Sequence, residues 1–363
     1  ITVWGVNCLN DLLAALNHPE LETEKVYQPR IRAEDLLREG TGQDTGDFRE
    51  VAGQENAKRG AEIAAAGFHN LLMIGPPGVG KSMVAGRIPG ILPPLTLKES
   101  LEVTGIFSVA GLLPPGQALI TRRPFYAPHH TVTQAALIGG GSGIPRPGMV
   151  SLAHRGVLFL DELPEFRKNV LDGMRQPMEE RKVQIARSAG MVTYPSDFIL
   201  VAAMNPCPCG YYPDRNKCRC TQPQIEKYLG KISGPILDRI DLCVELHPVD
   251  ILHLQKTKTE KSSEDMKRQI RHARERQAER FAGTDCRFNG DIRSAQVEEY
   301  CPLGEEGQKV MEQLYRTLQL SARVYHRILK TARTIADLED REEITGEHLL
   351  EAACYRPSET YWN

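Results

Sequence analysis

The most informative stretch of this sequence reads Gly75-Pro76-Pro77-Gly78-Val79-Gly80-Lys81-Ser82. It stands between a short apolar run, residues 69–74, and a segment that we predict to be helical, which is the context of a G-x-x-x-x-G-K-[ST] phosphate loop. Its glycines let backbone N–H groups form an anion cradle, and the N-terminus of the following helix adds partial positive charge. We expect Lys81 to reach the β- and γ-phosphates of ATP and Ser82 to ligate Mg²⁺. A glycine-rich turn without a ligand is the alternative.

An acidic pair follows a second apolar run. Residues 157–160 read Val-Leu-Phe-Leu, and Asp161 and Glu162 come next. At the carboxyl end of a strand, Asp161 can hold hydrated Mg²⁺ while Glu162 polarises the water that attacks the γ-phosphate. Asn205 closes another buried run and could orient that water, although an asparagine after a strand is also a common turn former. Together with the phosphate loop, these residues predict a nucleotide-hydrolysing centre.

Helical and strand-like segments alternate from Phe48 to Pro248. The strand-like runs are apolar throughout, as in parallel sheets buried on both faces, and cover residues 69–74, 157–160, 198–204 and 242–246. After Pro248 only helical patterns remain, at residues 261–281, 305–318, 322–337 and 346–354. We therefore predict an α/β fold in which a parallel-sheet nucleotide-binding domain, residues 48–248, precedes an α-helical domain, residues 249–363.

Residues 1–47 differ from the rest of the chain. They contain one amphipathic stretch, residues 9–16, and a polar segment, and the glycine-rich residues 39–47 indicate a linker. The chain opens with Ile1 rather than Met and lacks the basic and apolar regions of a signal peptide. We expect residues 1–47 to be the remnant of an N-terminal domain and a linker.

The overall composition is that of an ordinary globular protein. Hydrophobic residues make up 41% of the 363 residues, which separates the chain from disordered proteins. No apolar run approaches the ~18 residues that a membrane-spanning helix needs. With 45 basic and 47 acidic residues the net charge is −2, so a polyanion would have to be bound by a local patch. We expect a cytoplasmic protein without membrane contact.

Four of the nine cysteines lie close together, as Cys207-Pro208-Cys209 and Cys218-Arg219-Cys220. A chain of this length can bury a core without disulfides, so a reducing compartment fits. Four thiolates on a short loop suit tetrahedral Zn²⁺, and Gly210 allows a tight turn whose backbone N–H groups bond to sulfur. We predict a structural zinc site. Redox-active or disulfide-bonded cysteines and unliganded thiols are the alternatives.

Two segments avoid acidic residues. The 58 residues between Glu102 and Asp161 contain no Asp or Glu, although 25% of the whole chain is charged. A second acid-free run covers residues 181–196, where two β-prone segments flank Ser188-Ala189-Gly190 and predict a β-hairpin. The absence of acidic residues could reflect ordinary surface loops, or avoidance of negative charge near bound ATP. The functional explanation is that these segments form a surface that contacts a polyanion.

The order of the motifs resembles that of AAA+ ATPases. The shared order is the phosphate loop, Asp161-Glu162, Asn205, Leu237-Asp238-Arg239-Ile240-Asp241 and a helical domain with Ser321-Ala322-Arg323. Several shorter motifs resemble the magnesium-chelatase-like ComM/YifB family over residues 48–357. They are Ala127-Pro128-His129-His130, Gly139-Gly140-Gly141, Ser151-Leu152-Ala153-His154, Leu160-Asp161-Glu162-Leu163-Pro164-Glu165-Phe166 and Asn205-Pro206-Cys207-Pro208-Cys209-Gly210. In that family a Lon-protease-like domain precedes the ATPase, and residues 1–39 resemble only the tail of that domain.

The resemblance implies roles for two further arginines. Arg239 resembles the arginine finger that enters the nucleotide site of a neighbouring subunit, which implies a ring, a homo-hexamer. An ion pair with Asp238 or Asp241 in the same chain is the alternative. Arg323 resembles the lid arginine that senses the γ-phosphate, and a solvated helix arginine is the alternative. Residues 51–54 resemble the segment that packs against adenine.

The resemblance also implies a substrate. The acid-free segments resemble the pore elements of this AAA+ branch, the helix-2 insert and the pre-sensor-1 hairpin. Four basic residues could then contact a DNA backbone without reading sequence: Arg122, Arg123, Lys182 and Arg187. Members of the family act as branch-migration helicases on single-stranded and branched DNA in natural transformation and recombination. A magnesium-chelatase-type ATPase that remodels a protein partner, and a nucleotide-switched DNA-binding scaffold, are the alternatives.

Overall fold

The chain forms two compact units, residues 1–42 and residues 43–363. A computed structural model describes residues 5–6, 8–17, 26–27, 36–37, 46–141, 145–187, 190–249, 261–356 and 361. In the smaller unit, strands β1 (Gly5–Val6) and β2 (Val26–Tyr27) pair antiparallel, and helix α1 (Leu9–Asn17) confirms the predicted amphipathic stretch. Most of the predicted linker, residues 39–45, lies outside the described residues.

A five-stranded parallel sheet is the centre of the larger unit. In order across the sheet, the strands are β11 (Leu242–Glu245), β3 (Leu71–Ile74), β10 (Ile199–Met204), β7 (Val157–Leu160) and β4 (Phe125–Tyr126). Every neighbouring pair is parallel, as the apolar runs predicted. The phosphate-loop strand β3 lies between β11 and the central strand β10, so its loop emerges beside the ends of these two strands.

The sheet is buried on both faces because alternate residues of each strand face opposite layers. Leu71 and Met73 belong to the core that includes the helical domain, whereas Leu72 and Ile74 belong to the core on the other side. The helices of the larger unit are α2 (Glu55–Gly67), α3 (Lys81–Ile91), α4 (Leu97–Ala110), α5 (Gln134–Ile138), α6 (Met149–Leu152), α7 (Lys168–Gly173), α8 (Arg175–Glu180), α9 (Gln222–Leu229), α10 (Gly234–Leu237), α11 (Ser263–Arg280), α12 (Val297–Tyr300), α13 (Glu305–Thr317), α14 (Ala322–Leu338) and α15 (Gly346–Cys354).

The four long helical patterns after residue 260 are confirmed as α11, α13, α14 and α15, with ends within two residues of the predicted ones. Ser262 begins α11 with a capping box, in which its hydroxyl accepts from the backbone N–H of Asp265. Both α11 and α14 pack against α2, which itself packs on the sheet. The buried His69 ring bonds the Thr334 hydroxyl of α14 at 2.7 Å. This contact ties the helical domain to the sheet domain.

Two small antiparallel sheets stand beside the central one. Strands β5 (Gly139–Gly140) and β6 (Arg146–Pro147) pair within the long acid-free segment. Strands β8 (Lys182–Arg187) and β9 (Gly190–Pro195) confirm the predicted hairpin, in a register that pairs the first residue of β8 with the last of β9. Residues 188–189 of its turn lie outside the described residues. In the described part of the chain, no helix has the length and apolar character that crossing a membrane requires.

Candidate active site

The phosphate loop joins β3 to α3. Gly78 and Gly80 have φ of +80° and +94°, and a Cβ at either position would meet no atom within 4 Å. The left-handed backbone, rather than lack of space, therefore requires glycine at both positions. Gly75 is different, because a Cβ there would lie 2.5 Å from the backbone oxygen of Leu246, the residue after β11. The neighbouring strand thus fixes the start of the loop.

Lys81 is the first residue of α3, and its side chain turns back over the loop. Its ammonium donates to the backbone oxygens of Gly75 and Pro76 at 2.7 and 2.9 Å, and to Oδ1 of Asn205 at 3.1 Å. Lys81 is only 8% exposed, and burial lowers its pKa, against the effect of the carboxylates of Asp161 and Glu162. A partly desolvated cation at this position is suited to bind a phosphoryl oxygen.

Ser82 and Asp161 meet at the start of α3. The Ser82 hydroxyl donates to Oδ2 of Asp161 at 2.8 Å, and the other carboxylate oxygen accepts from the backbone N–H of Glu162 at 2.9 Å. A hydroxyl and a carboxylate this close form the pair of hard oxygen ligands that Mg²⁺ takes from a protein when waters and phosphates complete its shell. These donors fit the magnesium site expected at Ser82 and Asp161.

Glu162 follows Asp161 in a left-handed backbone conformation, with φ of +52°. Such a conformation is strained for a residue with a Cβ, and strain of this kind concentrates at functional sites. The Glu162 carboxylate is 56% exposed and lies 3.2 Å from Nδ1 of His130. The rings of His130 and His129 have centroids 4.0 Å apart and are tilted by 35°.

His130 had not been predicted to take part in hydrolysis. The position of His130 in the chain could have indicated this contact. Residues 127–130 directly follow the edge strand β4, which is parallel to β7, and so reach the same sheet edge as Asp161. Gln54 is a further contact to the loop. Its amide donates to the backbone oxygens of Val79, 3.2 Å away, and His247, 2.7 Å away. Residues 51–54, expected beside adenine, are therefore attached to the phosphate loop.

Arg239 and Arg323 lie close together, after α10 and at the start of α14. Arg239 pairs with the carboxylate of Glu179 on α8 and also donates to the backbone oxygen of Pro235. Burial lowers the pKa of Arg239, and the positive charges of Arg175 and Arg323 act in the same direction. Among the described residues, neither arginine contacts the phosphate loop of its own chain. Among the described residues, the alternative pairing of Arg239 with Asp238 or Asp241 is not seen, and the pairing with Glu179 had not been predicted.

The partner of Arg323 is Asp238, the neighbour of Arg239 in the chain. The Arg323 side chain is nevertheless 73% exposed. Arg327, one turn further along α14, donates to the backbone oxygen of Asp238 at 3.0 Å. The segment that carries Arg239 is thus attached to α14 through Asp238, and a movement of the helical domain would be passed to that segment.

The four clustered cysteines converge after β10. Their sulfurs all lie within 4.8 Å of one another, with Cys207 3.3 Å from Cys209 and 3.7 Å from Cys218. In a tetrahedral zinc site with Zn–S bonds of about 2.3 Å, the sulfurs would be about 3.8 Å apart. Burial opposes ionisation of Cys209, but bonds from backbone N–H groups and neighbouring thiols lower its pKa to about 6. The donor set fits Zn²⁺.

The cysteine loop contacts the phosphate loop. Gly210, with φ of +86°, approaches so closely that a Cβ there would lie 2.6 Å from Cδ of Pro77. Asn205, which accepts from Lys81, stands two residues before Cys207. A metal bound by the cysteines would therefore brace both Asn205 and one side of the phosphate loop.

The candidate DNA contacts have different surroundings. Arg123 is not a surface residue: its guanidinium donates to the backbone oxygens of Pro93, Pro94 and Arg155 and pairs with Glu99 at 3.3 Å. The expectation that Arg123 contacts DNA is corrected accordingly, because its donors are occupied inside the protein. Arg122, the preceding residue, is exposed.

Two candidate DNA contacts, Lys182 and Arg187, belong to the hairpin strand β8. Lys182 is exposed, whereas Val183 and Ile185 of the same strand are buried, so the two faces of β8 differ in character. Arg187 ends β8, opposite Gly190, and its side chain lies outside the described part of the structure. The DNA-binding roles of Arg122, Lys182 and Arg187 stay predictions.

Comparison with protein families settles the class of this fold. The model for magnesium chelatase, subunit ChlI, matches residues 47–254, and the model for the C-terminal part of that subunit matches residues 260–356. The chain belongs to the magnesium chelatase ChlI family. The family has an AAA+-like α/β domain followed by a C-terminal helical domain, which agrees with the observed sheet and helices.

Curated relatives within this family are similar over most of the chain. It is 46% identical to Uncharacterized protein YifB of Salmonella typhimurium over 86% of this chain and 60% of the relative. It is 43% identical to Competence protein ComM of Haemophilus influenzae over 96% of this chain and 66% of the relative. It is 25% identical to the Magnesium-chelatase 67 kDa subunit of Chlorobaculum parvum, over 61% of this chain and 34% of that subunit. The chain spans about three fifths to two thirds of the length of YifB and ComM.

Proposed function

We propose that this chain is the ATP-driven motor of a homo-hexameric branch-migration helicase that acts on DNA in homologous recombination and natural transformation. The observation that carries the proposal is the 43% identity to Competence protein ComM over 96% of the chain. The contacts between Ser82 and Asp161 and between Lys81 and Asn205 support an ATPase of this family that uses Mg²⁺.

Each residue of the site has a distinct role in the proposed hydrolysis of ATP. The phosphate loop and Lys81 would bind the phosphates of ATP, and Ser82 and Asp161 would hold Mg²⁺, which would supply positive charge to neutralise the phosphates. Glu162 accepts a proton from the attacking water, and Asn205 orients that water beside the γ-phosphate. The exposed carboxylate of Glu162 is suited to this role because it can reach a water molecule at the sheet edge.

The proposed ring supplies the centre with a cation from a neighbouring chain. Among the described residues of one chain, Lys81 contacts the phosphate loop but Arg239 and Arg323 do not. In the proposed ring, Arg239 stabilises the charge of the transferred phosphoryl group on the neighbouring subunit, and Arg323 responds to the γ-phosphate. Hydrolysis at one interface would then move α14 through the Arg323–Asp238 pair.

The hairpin β8–β9 is the proposed DNA contact. It contains no Asp or Glu between residues 181 and 196, and it presents Lys182 at its exposed face. Backbone phosphates are bound by such side chains without regard to sequence. The four cysteines, with Zn²⁺ bound, would hold Asn205 and Pro77 in place during these movements.

One other function has a specific observation in its favour. The similarity to the Magnesium-chelatase 67 kDa subunit favours an ATPase that remodels a protein partner. The ATP-dependent unwinding of a three-way DNA junction separates the two functions, because only the DNA motor displaces a strand. A nucleotide-switched DNA-binding scaffold would bind the junction without displacing a strand, and it would not need the base at Glu162.

A further inference from the structure

A cavity of about 470 Å³ lies between the sheet domain and the helical domain, away from the phosphate loop. Its wall on the sheet-domain side is formed by α4 and neighbouring loops, and its other wall by α11 and the segment that follows it. Five cations line it, namely Lys98, Arg123, Arg155, Arg274 and Arg287, and two carboxylates, Glu99 and Glu102. A volume of this size accommodates a small metabolite.

Most of these cations are paired. Arg123 pairs with Glu99, and Arg155 pairs with Glu102 at 2.8 Å. Arg155 also shares the buried carboxylate of Asp197 with Arg287. These pairs use every carboxylate at the cavity wall and one behind it. Two cations of the wall, Arg274 and Lys98, form no ion pair with a described residue.

Arg274 differs from these paired arginines because it forms no ion pair with a described residue. In the described structure it contacts no carboxylate: its guanidinium donates to the backbone oxygen of Ala65 at 2.6 and 3.2 Å and stacks 3.8 Å from the ring centroid of Phe288. Lys98 likewise forms no ion pair with a described residue and lies exposed at the cavity. Burial, and next the charge of Arg123, lower the pKa of Arg274 to about 9, against the opposite effect of the carboxylates of Glu99, Asp291 and Asp197. Arg274 is half-buried, and each of these carboxylates is paired with another arginine. An anion that enters the cavity would therefore meet a guanidinium that has no ion pair, and could form charge-assisted hydrogen bonds with it.

We infer that this cavity is a binding site for a small phosphorylated molecule, whose phosphate is held by Arg274 and Lys98 from opposite walls. Guanidinium groups match phosphate oxygens through paired N–H donors, which favours phosphate over a monovalent anion. Because Lys98 belongs to the sheet domain and Arg274 to the helical domain, the bound molecule fastens one domain to the other. The site is independent of the DNA-binding role.

Inorganic pyrophosphate is the probe, and isothermal titration of the full chain is the measurement. The titrations use the Lys81→Ala background, so that the phosphate loop contributes little. We expect one pyrophosphate per chain, a tenfold or greater loss of affinity in Arg274→Gln, and an affinity within twofold of the background for Arg271→Gln. Arg271 is the matched control because it lies on the same helix, exposed and outside the cavity.

Lys98→Gln is a second test, since an exposed residue can be changed without risk to folding. It should weaken pyrophosphate binding severalfold. Absence of binding in the Lys81→Ala background would overturn the inference. So would equal affinities of Arg274→Gln and Arg271→Gln, or sulfate binding as tightly as pyrophosphate, which would indicate a non-specific response to negative charge.

Discussion

The guanidinium of Arg239 is paired with the carboxylate of Glu179 in the same chain. Glu179 lies on α8, which ends at Glu180, two residues before the hairpin strand β8 begins at Lys182. The residue proposed to act on a neighbouring ATP is thus attached to the element proposed to contact DNA. A displacement of the hairpin would therefore be passed to Arg239.

The ion pair with Glu179 also holds the Arg239 side chain within its own chain. Removing the pair should therefore make Arg239 more available to the nucleotide site of a neighbouring subunit. We predict that Glu179→Gln raises the ATPase rate at subsaturating protein concentration about two- to fivefold, the range that loss of a partly exposed ion pair of up to about 1 kcal/mol allows. Glu180→Gln is the matched control, because Glu180 is adjacent but does not contact Arg239. Equal rates for the two variants would show that the pair does not restrain Arg239.

Substitutions of Glu162 and of Lys81 should impair different steps, hydrolysis in the first case and ATP binding in the second. Glu162→Gln removes the base but keeps the shape, so ATP binding should persist while hydrolysis falls about 10²-fold or more. Lys81→Ala should weaken ATP binding itself, because it removes the ammonium that Asn205 and the loop oxygens hold in place. Nucleotide-binding and single-turnover measurements distinguish the two effects. Hydrolysis at the parent rate by Glu162→Gln would exclude Glu162 as the base.

Complementation tests whether Arg239 acts in trans. Arg239→Ala alone should abolish hydrolysis with little change in ATP affinity, because the residue serves the neighbour's site. Mixing these chains with Glu162→Gln chains should restore part of the activity, at interfaces where an intact Glu162 meets an intact Arg239. Native mass spectrometry would verify mixed rings. Mixed rings without restored activity would favour a role for Arg239 within its own chain.

The cysteine cluster should bind one Zn²⁺ per chain, measurable by elemental analysis of purified protein. Because a structural metal contributes directly to folding, Cys207→Ser should lower the melting temperature by several degrees. Cys354→Ser is the control, since Cys354 is exposed and outside the cluster. A metal-free preparation that is fully folded and active would contradict the zinc assignment.

The sheet was predictable because its strands are continuous apolar runs between turn signals. Strand β4 was missed, since its two residues, Phe125 and Tyr126, are too few for any periodicity to appear. The start of α14 was predicted at residue 322 and is observed there, where the Ser321 hydroxyl caps the helix. Local sequence signals were sufficient for these elements.

Side-chain surroundings were harder to predict, because they depend on residues far away in the chain. Arg123 stands in an acid-free stretch, yet Glu99 and three backbone oxygens enclose it. The contacts of Glu162 with His130, and of Arg239 with Glu179, join separate elements and leave no local pattern. Charge counts along the sequence could therefore locate a basic segment but could not say which of its arginines face solvent.

ATP hydrolysis by this chain is proposed to move DNA branches. The most direct test is the release of a labelled strand from a three-way DNA junction with Mg²⁺ and ATP. We predict release by the parent protein, none by Glu162→Gln, and a reduced rate in Lys182→Gln but not in Lys227→Gln, an exposed lysine on α9 outside the acid-free segments. A parent protein that hydrolyses ATP but releases no strand, or release by Glu162→Gln at the parent rate, would show that ATP hydrolysis by this chain does not move DNA branches.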